Sequence, residues 1–310
     1  MQSVGLRFLA MRRLPPTVVA STTVTIVNFI GTVVGAGIIL ISIFNALAPD
    51  FDVDALLAKN LTYFFGHVFI NASIYMTVIA VYEIVPLYTN RPWKSSKIFL
   101  AGWSVVLLMV LAVYPHHLFQ DLAMPAWLLV MGQVGSYISG IPVIAITALA
   151  LLGYLYKSGA KWDLTLSLLV LGVFGWAGGV IPAVIDGMIS VNKVMHNTMW
   201  VPGHFHFYLL LGMAAMAFGF MTWLPEQKTR AGFNIVDRLS FTAYAVGGLG
   251  FVFAFLFSGA NSIPRRWAEH LPEWQIYSSV AAAFGAITLL GAVAFLIRVV
   301  VALGTKPKPE

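Results

Sequence analysis

Eight apolar runs follow one another along this 310-residue chain, near residues 16–46, 62–88, 96–119, 127–156, 163–190, 203–224, 236–259 and 275–303. About 20 helical residues, rising 1.5 Å each, cross the roughly 30 Å of bilayer hydrocarbon. Within lipid the backbone must satisfy its own hydrogen bonds, so runs of this length predict an all-α, polytopic transmembrane bundle. Composition excludes the soluble alternative, because 59% of residues are hydrophobic and only 10% are charged.

Successive spans alternate sides, so the Lys and Arg residues between them set the orientation. Fourteen share the side of the N-terminus: Arg7, Arg12, Arg13, Arg91, Lys94, Lys97, Lys157, Lys161, Lys228, Arg230, Arg238, Arg298, Lys306 and Lys308. Four lie opposite, namely Lys59, Lys193, Arg265 and Arg266. Both termini are therefore expected in the cytoplasm. The net charge of +6 follows from the same asymmetry and implies no nucleic-acid partner. Met1 to Pro16 carries three arginines and no small-residue cleavage site, so the first span is expected to remain in the membrane.

The chain has no cysteine, which excludes disulfides, thiolate metal sites and covalent haem attachment through thioethers. Any metal must be held by nitrogen or oxygen. There is no internal repeat, and the only low-complexity stretch is the polar tail Thr305 to Glu310, so residues 1–310 read as one domain. Pro86, Pro125, Pro142, Pro182 and Pro225 are expected at helix ends or kinks.

Six of the seven histidines fall in three clusters: Gly66-His67, Pro115-His116-His117, and the segment from His196 through His204-Phe205-His206. Intramembrane histidines are costly, and neutral imidazole is the commonest metal ligand. By topology His67, His116, His117, His204 and His206 each lie at the outer end of a span, which predicts one layer of metal centres below the outer surface. His204 and His206 point about 200° apart on a regular helix, so one helix can serve two cofactors. His116 and His117 are about 100° apart on such a helix. They would converge on one ion if Pro115 makes the helix end irregular, and His67 would complete a three-nitrogen set suited to copper or another first-row metal. His270 and Glu269, in an outer loop, are expected to be solvated.

Together, His196-Asn197-Thr-Met-Trp-Val-Pro-Gly-His204-Phe-His206, Pro115-His116-His117 and Gly66-His67 resemble the catalytic subunit I of the haem-copper oxidases, closest to the B-type branch. The resemblance covers almost the whole chain. It implies that His67, His116 and His117 bind the copper called CuB, that His204 is the proximal ligand of the high-spin haem, and that His206 is an axial ligand of the low-spin haem. His196, Asn197, Arg265 and Arg266 match positions near the haem propionates, where guanidinium groups suit carboxylates. The family passes electrons from cytochrome c or another soluble donor, through a CuA-type subunit II and the low-spin haem, to a haem-copper pair that reduces a diatomic gas.

Two departures matter. The family's subunit I has about twelve spans and carries its second low-spin haem ligand on an early helix. This chain looks like the later portion, so a further polypeptide or further sequence is expected to supply the early helices and that ligand. Second, the dioxygen-reducing A- and B-type members carry a tyrosine four residues after the first copper histidine, and here that position is Asn71. Asparagine donates neither the electron nor the proton that dioxygen cleavage draws from the phenol. Reduction of two nitric oxide molecules to nitrous oxide and water needs only two electrons and two protons, so Asn71 favours that substrate. Recovery of a tyrosine from another helix would restore the dioxygen reading. Tyr75 and Tyr82 share a helical stripe with His67 and Asn71, and Tyr82, beside Glu83, matches a family position on the proton path from the cytoplasm. Thr147 is the nearest hydroxyl after Pro142, a weak match to the rest of that path. A transporter would place polar groups at the membrane midplane in repeated halves, which this sequence lacks, and an inert oxidase fragment is the other alternative.

Overall fold

The computed structural model describes residues 14–48, 50–229 and 232–304. Arg7, Arg12, Arg13, Arg230, Lys306, Lys308 and the tail Thr305 to Glu310 lie outside the described residues. The helices are α1 (Pro16–Leu47), α2 (Ala55–Thr89), α3 (Lys97–Ala112), α4 (Ala126–Val143), α5 (Leu149–Leu155), α6 (Leu164–Asp186), α7 (Ile189–Met195), α8 (Trp200–His206), α9 (Ala215–Thr229), α10 (Ile235–Ala260) and α11 (Gln275–Gly304). Among the described residues, eight stretches are long and apolar enough to cross a membrane: Pro16–Leu47, Ala55–Thr89, Lys97–Leu118, Ala126–Leu155, Leu164–Asp186, Trp200–Pro225, Ile235–Ala260 and Pro272–Gly304. These coincide with the eight apolar runs of the sequence.

One boundary changes an expectation. The second span begins at Ala55, not near residue 62, so His67 lies more than three turns into α2 and not beside its start. The reason is local. Residues 55–61 continue the helix although they carry Lys59 and Asn60, because the Lys59 ammonium reaches out to the Asp121 carboxylate at 2.8 Å and need not enter hydrocarbon. That hydrogen bond holds the Asp121 carboxyl below the usual carboxylate range.

Prolines act in two ways. Pro125 caps α4, whereas Pro86, Pro142, Pro182 and Pro225 lie within helices. Pro142 is followed by a π-helical segment, Ile144–Ala148, which takes up the backbone disturbance before α5.

Two compact units emerge. The first holds Met1–Ile79, Trp93–Leu149 and Gly187–Lys193; the second holds Ala80–Pro92, Ala150–Asp186 and Val194–Glu310. In the first unit, Gly31 and Gly35 lie four residues apart on one face of α1, against Val68 and Phe65 of α2. A Cβ at Gly31 would come within 2.6 Å of the Val68 side chain, so only a glycine stripe lets α1 approach the part of α2 that carries His67. In the second unit, Leu164, Leu168, Ala215, Tyr244 and Phe295 form a core cluster. The N-terminal end of α10 is fixed by a capping box between Asn234 and Asp237, and the Asp237 carboxylate also pairs with Arg298 of α11.

A π-helical segment, Phe207–Ala214, directly follows α8. Wider turns of this kind alter the carbonyl pattern. The Tyr244 hydroxyl donates to the Leu210 carbonyl at 2.6 Å, tying the segment to α10.

Candidate functional site

In the first unit, α3 ends at Ala112 and the chain tightens into a 3-10 turn, Tyr114–Leu118. Pro115 lacks an N–H and cannot continue an α-helical ladder, so this turn is the irregular helix end on which convergence of the two histidines depends. The His116 and His117 Nε2 atoms lie 3.0 Å apart, and His67 Nδ1 lies 3.1 Å from His117 Nε2. One nitrogen from each of His67, His116 and His117 fits within 4.8 Å of the others. Three lone pairs at such distances repel one another unless a proton or cation lies among them. The donor set, three neutral imidazoles without thiolate or carboxylate, suits a first-row metal such as copper.

Contacts outside the trio fix which nitrogens face inward. Ser136 Oγ donates to the Gly132 carbonyl at 2.7 Å and therefore accepts from His116 Nδ1 at 2.8 Å. That assignment puts the His116 proton on Nδ1 and leaves Nε2 as the metal-facing lone pair. Gly132 permits the approach, since a Cβ there would come 2.9 Å from the His116 backbone nitrogen. The Tyr63 ring lies against His117, with centroids 5.6 Å apart and planes 13° from parallel.

Asn71 follows His67 by one turn, and its Nδ2 donates to the His67 carbonyl at 2.7 Å. Its Oδ1 accepts from the Tyr75 hydroxyl at 3.4 Å, and the Tyr75 ring meets Trp103 edge-on at 5.5 Å. The stripe of His67, Asn71 and Tyr75 is thus one connected face. Tyr82 is buried in the second unit, whereas Glu83 is exposed beside it. Thr147 is fully buried within the π-helical segment after Pro142.

In the second unit, α8 begins at Trp200 and carries His204 and His206 toward different neighbours. His204 Nδ1 lies 3.9 Å from Asp186 Oδ2 at the end of α6. His206 instead donates from Nδ1 to the Pro202 carbonyl at 2.7 Å, and its ring meets Phe251 and Phe255 of α10 edge-on. The contact with Pro202 puts the His206 proton on Nδ1 and leaves its Nε2 lone pair for a ligand. Phe251 and Phe255 also help line a cavity of about 250 Å³ together with Met199, Ser258 and His270. His270 is exposed, as its loop position implied, and it also makes a 2.7 Å hydrogen bond to Ser278.

The loop before α8 pairs with the loop after α10. Thr198 and Pro264 form an antiparallel bridge, flanked by Met199 N–H to the Ile263 carbonyl and Arg265 N–H to the Asn197 carbonyl, each 2.9 Å. This clamp brings Arg265 and Arg266 to His196 and Asn197, whose side chains are themselves 3.1 Å apart. Burial, and then the Arg265 cation, push the His196 imidazole below its ordinary pKa. Arg266 adopts φ of 66°, a left-handed conformation costly for a non-glycine residue and concentrated at ligand clamps. A cationic clamp beside a neutral histidine suits paired carboxylates such as haem propionates.

Ser136, Tyr63 and Asp186 were not singled out by the sequence reading. Tyr63 precedes His67 by four residues, so helical spacing could have found it, and Asp186 is an acid at the end of an apolar span, a signal in itself. Ser136 carries no such signal.

Comparison with known proteins agrees with this geometry. The family model described as cytochrome c and quinol oxidase polypeptide I matches residues 5–293. A haem-copper oxidase subunit I+III of Aeropyrum pernix is 24% identical over 263 residues, covering 82% of this chain and 32% of the relative. A cytochrome c oxidase subunit 1 of Thermus thermophilus is 24% identical over 286 residues, covering 83% of this chain and 50% of the relative. A cryo-EM structure of a haem-copper terminal oxidase dimer shares the fold, with TM-score 0.79 and 21% identity over 94% of this chain and 57% of that one. The chain thus spans 32% and 50% of the length of these two curated relatives. Its helices, its histidine trio and the match over residues 5–293 place it in the cytochrome c and quinol oxidase polypeptide I family.

Proposed function

We propose that this chain is the catalytic portion of a respiratory haem-copper terminal reductase of the B-type branch, and that it reduces nitric oxide to nitrous oxide. We read residues 1–310 as one functional domain of a multi-pass protein of the prokaryotic plasma membrane, with both termini cytoplasmic. His67, His116 and His117 would hold copper. His204 would hold the high-spin haem and His206 the low-spin haem, with His196, Asn197, Arg265 and Arg266 receiving propionates. When bound, these groups supply the electrons and the open coordination positions for a diatomic gas. The chain's own residues fix imidazole tautomers, pair the propionates and exclude water. Tyr82 is assigned to the proton path from the cytoplasmic side. Electrons would come from cytochrome c or another soluble donor through a CuA-type subunit II. A further polypeptide, or further sequence, would supply the early helices and the second low-spin haem ligand.

One observation carries the choice of substrate. The position one turn beyond His67 is occupied by Asn71, whose amide is engaged with the His67 carbonyl and the Tyr75 hydroxyl. The reaction 2 NO + 2 e⁻ + 2 H⁺ → N₂O + H₂O asks nothing of a phenol at that position. A specific contact favours the second reading, dioxygen to water: Tyr63 lies flat on His117, a phenol at the metal trio from the turn before His67. Turnover of the membrane-assembled complex, reduced through its donor and given each gas separately, decides between them. Nitrous oxide formation with little dioxygen consumption is the expected result, and rapid dioxygen consumption to water would overturn the Asn71 argument.

A further inference from the structure

Two histidines separated by one residue on α8 meet very different acceptors. His206 gives its Nδ1 proton to the carbonyl of Pro202, one turn back on its own helix, at 2.7 Å. His204 does not use its own helix in this way. Its Nδ1 is buried and makes no hydrogen bond, and the Asp186 carboxylate lies 3.9 Å away at the end of α6. Both side chains are largely enclosed, 18% exposed for His204 and 12% for Asp186.

We propose that Asp186 is a positioning residue for the haem iron, its carboxylate accepting the Nδ1 proton of His204 once Nε2 is bound to the metal. This rests on the assignment of His204 as the high-spin haem ligand and is independent of which gas is reduced. A metal-bound imidazole almost always donates its second N–H to a carboxylate, a carbonyl or water, and the acceptor sets both ring orientation and ligand basicity. A distance of 3.9 Å is too long for a direct hydrogen bond and right for one that closes by a small side-chain rotation or through one water. A carboxylate draws the proton more strongly than a carbonyl does. His204 thereby becomes the more electron-donating imidazole and His206 the less, a difference that stabilises the oxidised state of the iron on His204. His204, backed by Asp186, would thus hold the more electron-rich of the two irons.

The test uses the assembled, haem-loaded enzyme, reduced and free of any gas. Resonance Raman spectroscopy reads the iron–histidine stretching frequency, and a redox titration reads the midpoint potential of the high-spin haem. Asp186→Asn is expected to lower the frequency and raise the potential, and Asp186→Glu to restore both toward the native values. An unchanged frequency and potential in Asp186→Asn would overturn the proposal. Should that variant fail to retain haem, the native band decides: a frequency as low as that of an imidazole with a neutral acceptor overturns the proposal, and a higher one supports it. In His204→Ala the iron–histidine band should vanish, and its persistence would instead refute the haem assignment of His204 on which the proposal rests.

Discussion

Ser136 is the residue whose removal should be felt most for its size. Ser136→Ala leaves His116 Nδ1 without its acceptor, and loss of such a partner commonly costs roughly 10- to 100-fold in metal affinity or activity. Metal analysis of the purified complex should show depleted copper, with Ser136→Thr retaining it. Tyr63 separates the two gas reactions. Tyr63→Phe keeps the ring on His117 and removes only the hydroxyl, so nitrous oxide production should be unchanged; a selective loss of dioxygen turnover would instead show that this phenol supplies the electron and proton. At this scale the convergence of His67, His116 and His117 was legible in the sequence, because histidine in lipid is rare and topology placed the clusters together. Ser136 was not legible, since one hydroxyl on an apolar helix looks like any other until its distance to His116 is known.

Helices can be read further than their junctions. The eight apolar runs anticipated the eight stretches of the described residues that are long and apolar enough to cross a membrane, because length and hydropathy fix both. The start of α2 was missed by several residues, since a polar extension of a helix beyond hydrocarbon looks like a loop. The 3-10 turn at Pro115 was anticipated only as a condition, and the π-helical segment after His206 was not anticipated, because neither has a side-chain period of its own. The junction of α4 with the histidine turn gives a prediction of this scale. Gly132→Ala places a methyl against the His116 backbone, an overpacking that costs typically 1–3 kcal/mol. Copper content should fall while the optical haem spectrum is retained, because α8, the helix proposed to hold the haems, belongs to the other compact unit.

For the whole molecule, the Lys and Arg asymmetry predicts that a reporter active only in the cytoplasm will fluoresce when fused after residue 310, and that such fusions after each span should alternate. Expressed alone, residues 1–310 should give a high-spin haem signal without a six-coordinate bis-histidine spectrum. Co-expression with a polypeptide carrying the early helices should restore it. Fold and family were legible at this scale because the three histidine motifs occur together, whereas the gas reduced depends on one side chain and its surroundings. The pairing of His204 and His206 on one turn of α8 has a mechanical consequence. On the proposed assignment the ligands of the two irons would be joined by two peptide bonds in a helix, so covalent geometry would set the length of the electron's tunnelling route. Thermal breathing of the bundle, a different lipid or an altered neighbour can loosen the walls of either site, and the interval between donor and acceptor would hardly change.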